Sequence, residues 1–277
     1  MSSIMHSFYE GIDFGVNRTR AIEFFEKQMS SPPTAVGATR AALSQMLRSI
    51  DLVGWSRNEE SGRLDRKALS RMAAGATTVF SRRDTKPADK SAVTILVDCS
   101  GSMYDVMSIT AKVSIQLAKM LEQARVNVAV TGFTGSEPDS GEAHDSDTGT
   151  TEQVLVAVQF KERGESLRAA APKMGAIRDC ASSGNPDYAA LMYGIEEIAT
   201  QPEQRKVVFF LTDTGSYDRA HMRHAQKFAD RMGVVLIAIG IGARVTTLFK
   251  HGADVHDISD LGGKTFTTLL RTLRTKD

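Results

Sequence analysis

A chain of 277 residues with 42% hydrophobic and 24% charged residues has the size and composition of one or two globular domains with a real core. Its net charge of +1 argues against a nucleic-acid binder driven by bulk electrostatics, and two cysteines, Cys99 and Cys180, give neither a disulfide framework nor zinc spacing. No apolar run reaches membrane-spanning length and the N-terminal residues have no signal-peptide pattern, so a reducing cytoplasm is the expected compartment.

Residues 1–75 read as a helical N-terminal extension. Ala21, Phe24 and Phe25 share one helical face, Pro32-Pro33 breaks the chain, and Val36, Thr39, Leu43, Met46, Leu47 and Ile50 follow the 3.6-residue period of a second amphipathic helix. A polar stretch spans Arg57 to Gly62 and a short helix Leu64 to Met72. Residues 76–277 read as one α/β domain, entered through a short strand at Thr77–Phe80 and a charged connector from Arg82 to Lys90.

From Val93 the pattern alternates strand and helix, which predicts a doubly wound, mostly parallel sheet covered by helices on both faces. The strands are expected at Val93–Val97, Val126–Phe133, Val154–Phe160, Lys206–Leu211, Val234–Ile239 and Asp254–Ile258. Helices are expected after Val106, at Glu165–Arg178, from Tyr188, around Ala225–Met232 and at Leu261–Leu273. Residues 135–152 are acidic, rich in Gly, Ser and Thr, and free of Lys and Arg. They read as a solvated insertion, expected away from the edge that carries the chemistry.

The chemistry sits at strand ends. The run Val93–Val97 stops in Asp98-Cys99-Ser100-Gly101-Ser102, a D-x-S-x-S turn that places one carboxylate and two hydroxyls on one loop, with Gly101 free to turn sharply. Asp187 opens a helix and Asp213 ends the run Val207–Leu211. In parallel α/β sheets ligands bind beyond the carboxyl ends of the strands. Oxygen donors alone, without His or Cys, suit magnesium or another hard divalent cation. Structural alternatives stand beside this: Asp98 and Ser100 as helix caps, and Asp187 as an N-cap, a role Asp fills well.

Other chemistries find little support. No G-x-x-x-x-G-K-[ST] phosphate loop accompanies VTILVD, and no G-x-S-x-G elbow or general base accompanies Ser100. His221 and His224 read as solvated surface, and Arg82-Arg83 as a solvated connector.

These loops resemble those of a von Willebrand factor A (VWA) domain with a metal-ion-dependent adhesion site (MIDAS): D-x-S-x-S at Asp98, Ser100 and Ser102, a second-loop ligand at Asp187, and a third-loop Asp at Asp213. The segments GRLDRKALSRM, VTILVDCSGSM, QPEQRKVVFFLTD and LIAIGIG are similar to the C-terminal domain of the CobT subunit of aerobic cobaltochelatase. This resemblance covers roughly residues 62–277. It implies a Rossmann-like VWA fold and metal ligands at Asp98, Ser100, Ser102, Asp187 and Asp213. It also implies a non-catalytic subunit that works with a MoxR-type AAA+ ATPase (CobS-like) and a large chelatase subunit inserting cobalt in cobalamin biosynthesis. No nucleic-acid or membrane partner is expected, and a homo-oligomer is compatible with the reading. Two departures stand out: Thr214 separates Asp213 from Gly215, and Pro186 precedes Asp187 with no Thr ahead of it. The alternative from another class is a stand-alone scaffold that binds partners through its helical N-terminal region.

Overall fold

The computed structural model describes residues 7–8, 18–30, 55–59, 61, 63–64, 77–83, 91–136, 154–181, 184–213, 219–257 and 260. In chain order the strands and α-helices are β1 (Ser7–Phe8), α1 (Arg18–Ser30), β2 (Trp55–Glu59), β3 (Arg63–Leu64), β4 (Phe80–Arg83), β5 (Ser91–Asp98), α2 (Met107–Gln123), β6 (Asn127–Ser136), β7 (Val154–Lys161), α3 (Ala171–Ala176), α4 (Asp187–Ala199), β8 (Arg205–Thr212), α5 (Arg219–Arg231), β9 (Val234–Ile241) and β10 (Gly252–Val255). The chain divides into two compact units, residues 48–90 and the remainder. The smaller contains an antiparallel sheet in the order β2-β4-β3.

The larger unit is built on a seven-stranded sheet in the order β1-β7-β6-β5-β8-β9-β10, parallel except for the β6–β7 pair. The expected doubly wound, mostly parallel sheet is the one found. Every residue of the central strand β5 is buried, which is why its sequence is a continuous apolar run instead of an alternating one. Its side chains still alternate between two cores. Val93, Ile95 and Val97 join the cluster formed with α1, α2 and α3, while Ala92 and Leu96 join the cluster under α4 and α5.

Helix α1 is part of the first core: Ala21 and Phe25 are buried. Gln116 Nε2 and Lys119 Nζ, both on α2, donate to the Gln28 and Met29 carbonyls at 2.6 Å each, satisfying acceptors that the last turn of α1 leaves open. Gly175 of α3 allows the closest approach, since a Cβ there would stand 1.9 Å from the Ala21 carbonyl oxygen.

Several boundaries differ from the sequence reading. The helix expected over 165–178 begins at Ala171, with Pro172 in its first turn, and ends in a 3-10 turn over Ile177–Asp179. Before it, Glu165 accepts the Glu162 N–H at 2.9 Å and the Lys173 ammonium at 3.1 Å, and Ser166 Oγ accepts the Ala169 N–H. These local bonds hold the backbone in turns. In the N-terminal extension, β2 and β3 fall where a polar stretch and the start of a short helix were read. WSRNE and RL carry no apolar alternation to announce a strand. The expected helices over Val36–Ile50 and Leu261–Leu273, the body of that over Leu64–Met72, and nearly all of the acidic insertion lie outside the described residues. The attachment points of the insertion are described, and they correct its expected position. Ser136 pairs with Val154, and Phe133 of β6 lies beside Asp98 of β5. Both ends of the 137–153 stretch therefore meet the sheet at the edge where β5 stops.

Candidate metal centre

Three segments arrive at that edge. β5 lies between β6 and β8 and ends in Asp98; β8 ends in Thr212 and continues into Asp213; α4 begins at Asp187. A bridge between Gly135 and Gly184, with N···O distances of 2.9 and 3.1 Å, ties the segment ahead of Asp187 to the end of β6. Thr134 Oγ1 donates to the same Gly184 carbonyl at 3.3 Å.

Asp98 is fully buried. Its Oδ1 accepts the Ser100 N–H at 2.8 Å and its Oδ2 accepts the Thr212 hydroxyl at 2.9 Å, so the carboxylate shapes the loop and joins it to β8. Burial raises the Asp98 pKa against these hydrogen bonds, and the Asp213 charge raises it further. The Ser100 and Ser102 hydroxyls lie 3.1 Å apart, and Ser102 Oγ donates to Asp213 Oδ1 at 3.0 Å. Asp98, Ser100, Ser102 and Asp213 thus form one connected cluster.

Asp187 stands beside it. It is the first residue of α4, with Pro186 in the capping position and no side-chain cap bond. A carboxylate in the first helical turn gains something from the helix dipole, yet Asp187 is buried and its Oδ1 has no hydrogen-bond partner. Burial, reinforced by the Asp98 and Asp213 charges and opposed by a hydrogen bond with Asn185, pushes the carboxyl up to about 9. A buried carboxyl oxygen without a partner, next to two more carboxylates, is one that a bound cation would satisfy. The donors are hydroxyls and carboxylates, the set a hard divalent ion takes, so the residues fit the ion expected from the sequence. Among the described residues no three His, Cys, Asp or Glu side chains are close enough to hold a metal by themselves, and the candidate donor set here includes the Ser100 and Ser102 hydroxyls as well as the three aspartates.

Sequence reasoning missed Thr212, which fixes the second oxygen of Asp98. Its only signal is its position, the last strand residue before Asp213. His221 and His224, read as surface, are exposed and packed on the residue after Asp187. The Tyr188 ring stacks on His221 at 4.7 Å between centroids, and its Oη lies 2.7 Å from His224 Nδ1. Cys99 and Cys180 are buried free thiols; burial pushes Cys180 up to about 12 and Cys99 well above its usual range, so neither supplies a thiolate. No helix among the described residues is long and apolar enough to cross a membrane.

Residues 79–275 match the family model described as the VWA domain of the cobalamin biosynthesis protein CobT. Similar solved structures include the pilus adhesin SpaC of Lactobacillus rhamnosus GG in its open conformation (15% identity, 68% of this chain and 30% of that one, TM-score 0.48). Another is the manganese-loaded TRAP protein of Plasmodium vivax (14% identity, 67% of this chain and 74% of that one, TM-score 0.46). A third is proximal thread matrix protein 1 of the mussel byssus, with a zinc-occupied MIDAS motif (17% identity, 66% and 48%, TM-score 0.43). The chain spans less than a third of the adhesin it resembles. On the family match, which takes in the whole of β5 through β10 and all three loops of the candidate centre, the chain belongs to the CobT VWA-domain family.

Proposed function

We propose that this chain is a metal-bearing interaction subunit, CobT-like in role, that works with a MoxR-type AAA+ ATPase in a cobaltochelatase-type complex. The observation that carries the reading is Asp187 Oδ1, buried without a partner beside a connected group of two serines and two further aspartates. Ser100 and Ser102 would hold the ion through their hydroxyls, and Asp98, Asp187 and Asp213 directly or through water. Magnesium held by these residues would supply an electrophilic position for a carboxylate of the protein partner. Asp98 keeps the loop in shape through Ser100 and Thr212, and burial of Asp98, Ser100 and Asp187 strengthens any charge contact made with them. The choice of ATPase and of cobalt rests on the resemblance to CobT. The scaffold alternative rests on the amphipathic pattern over Val36–Ile50, which lies outside the described residues.

The test replaces Ser100 and Ser102 together by Ala and measures binding to the cognate MoxR-type ATPase with and without magnesium. Magnesium-dependent binding by the natural chain and its loss in the double variant are expected. Equal affinity of both proteins in both conditions rejects the metal bridge. Incorporation of cobalt into a corrin only when this chain, the ATPase and a large chelatase subunit are combined tests the cobalt assignment.

A further inference from the structure

The chain as a whole is nearly neutral, yet α5 is not. Its exposed positions include Arg219, Arg223, Lys227 and Arg231, spaced four residues apart, with the exposed His221 and His224 between them. Side chains at this spacing follow one another along a helix, and these four span about 18 Å. The acid on the same helix, Asp230, faces Lys250 at 3.6 Å. Among the described residues Arg219, Arg223 and Lys227 form no ion pair. Arg231 lies over the Phe228 ring at 5.7 Å.

The position of this row matters as much as its charge. α5 follows β8 and starts six residues after Asp213, so Arg219 marks the end nearest the metal edge and Arg231 the far end. Tyr188 locks the first turns of α5 to the residue next to Asp187 through its contacts with His221 and His224. The row therefore has a fixed relation to the candidate centre. Its amino end also carries the positive pole of the helix.

We propose that the row Arg219-Arg223-Lys227-Arg231 is a docking strip for an acidic segment of the protein partner, leading from the metal edge along α5. This rests on reading the centre as a carboxylate-accepting contact: the same partner would offer one carboxylate there and a run of further acids to the strip. Charge complementarity selects the occupant. About 18 Å of cations matches five or six residues of extended acidic chain at about 3.3 Å each, and rim charges of this kind act mainly on encounter and specificity.

A fluorescein-labelled octaglutamate peptide, titrated with the full chain by anisotropy in magnesium at low and high sodium chloride, tests the strip. The natural chain binds, and affinity falls with salt as surface charge is screened. The triple variant Arg219→Glu, Arg223→Glu, Lys227→Glu binds at least tenfold more weakly, the corresponding triple Ala variant falls between, and Arg168→Glu, on an exposed turn ahead of α3, is unchanged. No binding by either the natural chain or the chain lacking residues 137–150, or triple variants within twofold of the natural chain with unchanged thermal melting, overturns the strip. The Ser100→Ala, Ser102→Ala variant separates the two ideas. If it loses the magnesium-dependent part of binding while charge reversal does nothing, the metal reading stands and the strip falls. If magnesium has no effect on either protein while charge reversal abolishes binding, the strip stands and the metal reading falls. Binding that appears only after deletion of residues 137–150 would make the chain's own acidic stretch the occupant and overturn the partner assignment.

Discussion

The two edges of the central sheet solve the problem of buried polar groups in opposite ways. Toward the amino ends of the strands, Arg163 donates to both oxygens of Glu197 at 3.1 and 2.8 Å, to the carbonyls of Val93 and Asn127, and to the Thr94 hydroxyl. Thr94 in turn donates to Glu197 at 3.0 Å. Cation, anion and hydroxyl are matched within the chain. At the carboxyl ends Asp98, Asp187 and Asp213 gather instead, and the charges that act on Asp98 and Asp187 are those of other carboxylates. A polar cluster that balances its own charge is structural; one that gathers like charges is a candidate for binding something that arrives from outside.

The strongest way to break this contrast is pH. The folded Asp187 carboxyl titrates near 9, far above its unfolded value of about 3.9, so the folded chain keeps this proton where the unfolded chain has lost it. The stability contributed by that proton is complete below about pH 4 and lost as pH rises through 9, at up to about 1.4 kcal/mol per pH unit. In EDTA, urea unfolding is expected to show stability falling by as much as about 4 kcal/mol between pH 5 and 8. Asp98, also raised, changes in the same direction. Asp187→Asn flattens the profile, and magnesium restores stability to the natural chain at pH 8 but not to the variant, by about 2.7 kcal/mol at one hundred times its Kd. A flat profile for the natural chain would mean that this edge is as balanced as the other.

The opposite edge is tested by Arg163→Met. Removing the guanidinium leaves Glu197 without its cation, with only the neutral Thr94 and Gln201 donors, and takes a donor from two carbonyls, in a site where the Arg and Glu side chains are only 13% and 29% exposed. A loss of about 3 kcal/mol in urea unfolding is expected. Magnesium-dependent stabilisation should survive, because nothing in this cluster touches the loops of the candidate metal centre. If the variant unfolds normally but loses its response to magnesium, the two edges are coupled and the contrast fails.

Much of this contrast is present in the sequence, and what is missing has physical causes. An apolar strand run that stops in Asp98 or next to Asp213 announces a carboxylate at a sheet edge, because burial on both faces leaves few other reasons for the pattern. Asp187 could not be resolved that way: a helix-opening aspartate looks the same whether it caps or binds, and only the structure shows that Pro186 holds the cap position and that Asp187 Oδ1 makes no cap bond. The direction of β7 was invisible, since periodicity carries no sign, and with it the placement of the acidic insertion's ends at the edge where β5 stops. Arg163 gave no signal either. Its partners, Thr94 and Glu197, lie 69 and 34 residues away and meet it only through the fold.

The smallest expected change in stability falls on the residue that most separates the two edges in exposure. Tyr104 sits in the 3-10 turn over Gly101–Asp105, two residues after Ser102, and is 79% exposed. Its neighbour Met103 is buried and anchors the same turn in the core. A large aromatic ring left in water beside the candidate metal donors contributes little to folding, so Tyr104→Ala is expected to shift stability by less than about 0.5 kcal/mol. Aromatic side chains at the centre of protein contacts often contribute 2 kcal/mol or more, roughly thirtyfold in affinity. Binding of the cognate ATPase in magnesium should weaken by roughly that factor, with thermal melting unchanged. Unaltered binding would place the contact away from the serine loop, leaving the basic row of α5 as the surface to map.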